Sequence, residues 1–147
     1  MPAGFTLLEA VVVLVIIGVV AAVSAPALRS PGGDGAAAAA RALAAALREA
    51  RNLAAERGRA VAFHLDPRTG RYAAVTVPAP FEAPDTLRSG RLAAASGAAV
   101  LRCDAPCVLT FDPLRRGRGG PIGVVQGDER YEVTADAWSS TIHVRRR

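Results

Sequence analysis

The sequence predicts an α+β protein, a small antiparallel β head carried on a helical stalk. Three observations lead there. Residues 5–25 form an apolar run with a single ionisable side chain, Glu9. From about 36 to 57 apolar residues recur with the 3.6-residue period of a helix, and beyond Gly58 the period falls to two. Helix first and strands after is the order of an α+β fold. At 147 residues the chain has room for one modest domain beyond the stalk. The organisation that follows is four residues at 1–4, an apolar helix at 5–28 long enough for a membrane span or a filament core, a hinge at 29–35 and an α+β head at 36–147.

The first element is set by length. Residues 5–25 rise about 1.5 Å each, enough to cross roughly 30 Å of hydrocarbon. A carboxylate at the centre of such a helix costs about 2.5 to 3.5 kcal/mol on insertion scales, so Glu9 must be neutralised, reach the surface or meet a positive partner. A new amino terminus created after Gly4 would supply that partner. Even within one chain, a carboxylate in the first turn sits well against the positive end of the helix dipole. Pro26 removes the hydrogen bond to the carbonyl of Ala22 and turns Ala25 away from helix, so a kink or an exit falls there. Arg29 marks the polar side, and 30–35 (Ser-Pro-Gly-Gly-Asp-Gly) is too rich in breakers for regular helix.

The second element is amphipathic. Leu43, Ala46, Leu47, Ala50, Leu53 and Ala54 fall on one face and Arg41, Arg48, Glu49, Asn52 and Glu56 on the other. The apolar stripe reads as core packing against a sheet, its alanines permitting close approach. Gly58 takes the place of a C-terminal cap. Strands then follow. Val61, Phe63 and Leu65 alternate with Ala60, Ala62 and His64, the run 66–70 is strong turn chemistry, and 72–77 returns as the second arm of a hairpin. Residues 78–95, with three prolines and no steady period, read as a loop. Residues 100–103 and 108–111 read as short strands around a cysteine turn, 112–121 as a Gly/Arg loop, 122–125 as a strand, 127–129 as a turn, and 131–135 and 141–144 as closing strands.

Charge says less than it promises. The formal net charge is +5 and the sequence pI about 10.5, which suits nucleic acid or anionic lipid. All 18 basic residues are Arg, however, and they are spread along the chain in the manner of a compositional bias. Cys103 and Cys107 flank Asp104, Ala105 and Pro106. In an oxidising compartment a small-loop disulfide is the expected state, contributing about 2 kcal/mol and pinning a turn. A metal half-site or a redox pair is the rival reading; metal needs two further ligands, and His64 and His143 lie at no ligand spacing. No serine or cysteine nucleophile is placed beside either histidine by motif, so no catalytic residue, cofactor or metal is assigned. His64 reads as a strand surface residue. Asp128, Glu129 and Asp136 could offer oxygen ligands to calcium, but at a spacing that matches no known loop.

The residues Gly4, Phe5, Thr6, Leu7, Leu8 and Glu9 resemble the processing motif of the type IV pilin family, including the pseudopilins of type II secretion. That resemblance implies cleavage after Gly4 by a prepilin peptidase on the cytoplasmic side, N-methylation of Phe5, and filament assembly guided by Glu9 meeting the amino group of Phe5 on a neighbouring subunit. Pro26 occupies the position of the helix proline common in pilin-like chains. The leader 1–4 carries no Lys or Arg, so orientation rests on a start upstream of Met1 or on the free N-terminal amine. Leu47-Arg48-Glu49-Ala50-Arg51, then Ala55-Glu56-Arg57-Gly58-Arg59-Ala60-Val61, is similar to the GspH/FimT group of minor pseudopilins and minor pilins. So are Phe111-Asp112-Pro113, Gly117 and Tyr131-Glu132-Val133. A departure lies at 137–140 (Ala-Trp-Ser-Ser), where a glycine turn is expected before the last strand.

The resemblance implies a minor pseudopilin of a type II secretion system, a structural subunit of the pseudopilus tip or initiation complex rather than an enzyme. It would sit in the bacterial inner membrane as a single-pass protein, N-terminus cytoplasmic and head periplasmic, before entering the filament. Implied partners are the prepilin peptidase, other major and minor pseudopilins or pilins, membrane lipid before assembly and exported protein cargo. The alternative is a type IV pilus minor pilin serving pilus assembly or DNA uptake, with Arg115, Arg116 and Arg118 in a flexible loop and Arg145, Arg146 and Arg147 in a basic tail contacting phosphates. The plainer reading of that tail is a solvated end.

Overall fold

The computed structural model describes residue 13, 35–92, 99–114 and 116–147. The motif residues Gly4, Phe5 and Glu9, the kink residue Pro26 and the basic residue Arg115 lie outside the described residues. Among the described residues no helix is long and apolar enough to cross a membrane.

Helix α1 (Ala36–Arg57) forms over the amphipathic stretch. Leu43, Ala46, Leu47, Ala50 and Ala54 are buried, Leu53 half-buried, and Arg41, Arg48, Asn52 and Glu56 exposed, as the 3.6-residue stripe requires. Gly58 ends the helix at φ 61°, a left-handed conformation that suits glycine. Its N–H and that of Arg59 reach back to the carbonyls of Ala55 and Ala54, satisfying the last turn.

Two antiparallel sheets follow. The first runs β3 (Thr86–Arg91), β2 (Arg71–Thr76), β1 (Val61–Leu65), β5 (Val108–Phe111), β6 (Gly117–Arg118). The second runs β4 (Val100–Arg102), β7 (Ile122–Gln126), β8 (Glu129–Ala135), β9 (Ile142–Arg146). Helix α1 packs on β1 and β5 of the first and on β7, β8 and β9 of the second, so it covers the seam between them. Its Leu43 and Leu47 share one core with Phe63, Leu109 and Phe111 from the first sheet and Ile122, Val124 and Val133 from the second. Burying each such side chain contributes about 1.5 to 3 kcal/mol, and the alanines let the backbone of α1 approach both sheets. Phe63 also stacks on Tyr72 at 5.2 Å between ring centroids.

The β1–β2 hairpin pairs Val61 with Thr76 and Leu65 with Tyr72, closed by the turn at Asp66. That carboxylate accepts the N–H of Arg68 at 2.9 Å and the hydroxyl of Thr69 at 2.6 Å. These bonds hold its pKa below the ordinary range, the Thr69 hydroxyl foremost. His64 lies exposed on β1.

Three expectations need correction. Residues 78–95 are not wholly a loop, because Thr86–Arg91 forms β3 at the edge of the first sheet. An edge strand with little buried surface carries no apolar alternation, which is why its sequence hides it. The two strands expected around the cysteine turn are present, in different sheets: β4 pairs with β7, β5 with β1. The 112–121 loop contains the two-residue strand β6, paired with β5. Finally, β8 begins at Glu129 and β9 runs on to Arg146, so the turn between β7 and β8 shrinks to Gly127 and Asp128.

Candidate functional site

The head has two distinct ends. Gly35, where the N-terminal segment joins, lies against the β7–β8 turn: a Cβ built there would stand 3.6 Å from Gln126 Oε1 and 3.7 Å from Glu129 Oε2. Strand β9 finishes at the same place. Arg146 faces Glu129 at 4.0 Å, Arg147 bonds Glu132 through Nε at 2.5 Å, and the Arg147 N–H donates to the carbonyl of Arg130 at 2.9 Å. The hydrogen bond from Arg147 is the main cause holding the Glu132 carboxyl below its ordinary range, with Arg147 and Arg145 adding their charge. Two ion pairs thus fasten β9 to β8 at this end.

Arg102, Asp104, Gly123, Arg130, Glu132 and Arg147 also line an open groove of about 590 Å³ on the second sheet. Gly123, paired with Arg102 on one side and Glu132 on the other, leaves its floor without a side chain. Its positive and negative groups largely offset one another.

The opposite end is built differently. Thr76 pairs with Val61, Val61 with Phe111 and Phe111 with Gly117, and the N–H of Gly117 donates to Ala137 O at 3.3 Å. This row of neighbouring backbones spans four strand spacings, about 19 Å. Three connections leave the row: 77–85, 112–116 and 136–141. Each raises a large apolar side chain into solvent. Phe81 is fully exposed, Leu114 is 76% exposed and Trp138 is 81% exposed.

Each connection is also fastened. Arg59 forms a two-pronged ion pair with Glu82, and the Glu82 N–H donates to Ala79 O at 3.0 Å, fixing the turn at Phe81, whose φ is +70°. The pair draws the Glu82 carboxyl below its ordinary range, the hydrogen bond from Arg59 contributing most. Asp112 accepts the Arg116 N–H at 2.8 Å beneath Leu114. Asp136 accepts the N–H groups of Trp138 and Ser139 at 3.0 and 2.8 Å and the Ser139 hydroxyl at 2.9 Å. Those bonds, the Ser139 N–H first, lower the pKa of Asp136.

Ser140 answers the missing glycine. It lies in the left-handed region at φ +51° and is wholly buried, its hydroxyl lacking a hydrogen-bond partner among the described residues. The turn geometry a glycine would adopt is therefore present, held by Ser140 N–H to Asp136 O at 2.9 Å and by Arg51 Nη1 to Ser140 O at 3.3 Å.

Cys103 and Cys107 are joined in a disulfide with Cα atoms 5.6 Å apart, tying the end of β4 to the start of β5 and so one sheet to the other. The residues offered for phosphate contact do not converge. Arg118 is on β6, next to the row's far end, whereas Arg145 and Arg146 are on β9 beside Gly35's end of the head. The C-terminal arginines form a paired strand rather than a free tail, and Gly117 and Arg118 are strand rather than flexible loop. Arg116 is exposed in the turn before β6. Among the described residues no group of three or more His, Cys, Asp or Glu gathers to hold a metal ion. Phe81, Leu114 and Trp138 were passed over in the sequence because each is a lone apolar residue inside a turn; only its neighbours Pro80, Pro113 and Asp136 hint at a shaped loop.

Comparison with known proteins places these parts. Residues 2–25 match the prokaryotic N-terminal methylation motif. The head has the fold of the minor pseudopilin EpsH from the type 2 secretion system of Vibrio cholerae, with a TM-score of 0.55, 16% identity, and coverage of 73% of this chain and 93% of that one. It is equally similar to the type IV minor pilin FimU of Pseudomonas aeruginosa, with a TM-score of 0.54, 16% identity, and coverage of 74% and 90%. At such identities the likeness shows the fold alone. No curated protein matches the chain by sequence.

Proposed function

We propose that this chain, a type IV pilin-like protein of the GspH/FimT type, is a minor pseudopilin of a type II secretion system. The observation that carries the reading is the union of a methylation motif over residues 2–25 with a head of minor-pseudopilin fold. In this role the prepilin peptidase cuts between Gly4 and Phe5 and methylates Phe5. Residues 5–28 hold the chain in the inner membrane with the head on the periplasmic side, then pack in the filament core. Glu9, too costly to leave charged in hydrocarbon, is neutralised by the Phe5 amine of a neighbouring subunit. The chain is a structural subunit and not an enzyme. It joins other pilin-like subunits at the pseudopilus tip or initiation complex, where exported protein can meet it.

The test is to express Glu9→Val and Gly4→Ala separately in the native host. Loss of filament incorporation in both, and of secretion with it, is the expected result. Normal secretion and normal assembly in both would sink the proposal.

A second reading has one observation in its favour: the head is as similar to a type IV minor pilin as to a pseudopilin. Under it the same processing chemistry serves a type IV pilus, in pilus assembly or DNA uptake. Loss of pili with secretion intact in Glu9→Val would select this reading. The DNA function in particular predicts that the full-length chain in detergent binds duplex DNA with steep salt dependence. The separation of Arg118 from Arg145–147, and the pairing of Arg146 and Arg147 with glutamates, weigh against it.

A further inference from the structure

We infer that the end of the head bearing Phe81, Leu114 and Trp138 is a docking surface for the head of another pilin-like subunit, with these three side chains as its anchors. This rests on the reading of the chain as a filament subunit and names the part of the head that selects its neighbour.

The placement follows from the pairing. The row Thr76, Val61, Phe111, Gly117, Ala137 brings three connections, remote in sequence, to one edge about 19 Å wide. That width fits within one side of a standard protein interface of about 800 Å² per partner. Three large apolar side chains stand exposed along this one edge. Tryptophan is among the residue types that most often dominate binding energy.

The turns are shaped before any partner arrives. Phe81 is held with φ +70°, a conformation a bulky side chain rarely adopts, beneath the Arg59–Glu82 pair. Trp138 is held by three hydrogen bonds to Asp136 Oδ1 from its own and the following residue. Leu114 stands over the Asp112–Arg116 bond. Rigid loops lose less entropy on binding than mobile ones, so the clamps raise the affinity of the anchors.

Position and chemistry choose the occupant. The apolar N-terminal segment joins at Gly35, beside Glu129, and the turn after Ala135 lies six residues along β8, about 20 Å away. The surface is thus at the end of the head remote from the membrane-side junction. Phosphate recognition calls for several converging cations, whereas the three anchors are apolar, Arg59 is paired with Glu82, and Arg116 and Arg118 stand exposed on one side of the row only. A protein surface with an apolar recess is what remains, and in a filament subunit the neighbour met at the end away from the anchor is another subunit's head.

The test uses the full-length chain in its native host, with a photo-crosslinking amino acid placed in turn at 81, 114, 138 and, as a control at the other end, at exposed Asp128 in the β7–β8 turn. Intact mass of the mature chain is measured in the same cells. The expected result is adducts at 81, 114 and 138 whose partner, identified by peptide mass, is another protein carrying the methylation motif, and at 128 no such adduct. In parallel, the triple variant Phe81→Ser, Leu114→Ser, Trp138→Ser should keep the wild-type unfolding midpoint and lose at least tenfold of its incorporation into filaments. Adducts at the three positions only with lipid, nucleic acid, the same chain or a protein without the methylation motif, such as exported cargo, or no adducts there, would overturn the inference if Phe5 is found processed. An unprocessed chain would instead bring down the filament-subunit reading beneath it.

Discussion

The two ends of the head solve different problems with the same materials. At the Gly35 end Arg146 and Arg147 face Glu129 and Glu132 in two ion pairs. At the far end Glu82 pairs with Arg59 while Asp112 and Asp136 hold backbone N–H groups, and Phe81, Leu114 and Trp138 stand exposed. The difference teaches that net charge is a poor guide to the working surface of this protein. Its +5 is dispersed in ion pairs and exposed arginines, while the apolar groups are few and positioned.

The comparison holds only if one core supports both ends, and the largest effect comes from breaking that core. Leu47 is fully buried in α1, over the seam of the sheets. Leu47→Ala should lower stability by about 2 to 5 kcal/mol. Chemical denaturation followed by amide exchange should show both ends losing protection together; independent loss would mean two units where one is described.

A smaller effect should come from the bridge between sheets. Replacing Cys103 and Cys107 by serine removes a short-loop closure and should cost about 2 kcal/mol. A midpoint unchanged from the oxidised protein would show that the link adds nothing to the seam.

Smaller still, and opposite in sign, is Ser140→Gly. It removes a left-handed serine with an unpartnered buried hydroxyl and should add up to about 1 kcal/mol, the relief of strain being partly offset by the added freedom of the unfolded chain. A loss of stability would mean the hydroxyl has a role in the turn that the geometry does not reveal.

The least effect concerns pH. Asp136 has a folded pKa below its ordinary 3.8, so its contribution to the Trp138 turn is present above that value and lost as pH falls beneath it. Exchange protection of the Trp138 and Ser139 amides, corrected for intrinsic rates, should hold steady well above 3.8 and decline below it. Asp136→Asn, which keeps an acceptor oxygen, should flatten that decline. A decline centred well above the ordinary carboxylate value would contradict the assignment.

Much of this architecture was legible because burial leaves a period. The stripe Leu43, Leu47, Ala50, Ala54 announced α1, Gly58 its end, and Val61, Phe63, Leu65 the first strand. The β3 edge left no such trace, since Thr86–Arg91 buries little on either face. The split of β4 and β5 between sheets left no local sign for another reason: strand pairing is a long-range choice, and the turn from Cys103 to Cys107 is a crossing between sheets. Arg145 and Arg146 looked like a tail because nothing in their own side chains speaks of β8, which pairs with them. The motif over residues 2–25, with Gly4, Phe5 and Glu9 in it, was legible because it is a local run that needs no tertiary structure. The far-end anchors were not, because only the register of four strands brings their turns together.

The most direct measurement of the central claim is the mass and N-terminal sequence of the chain purified from native membranes. The account predicts a mature protein that begins at Phe5, carries one added methyl group on its amine, and is retained in its uncut form when Gly4 is changed to Ala. A chain still bearing Gly4 in cells with an active prepilin peptidase would contradict it.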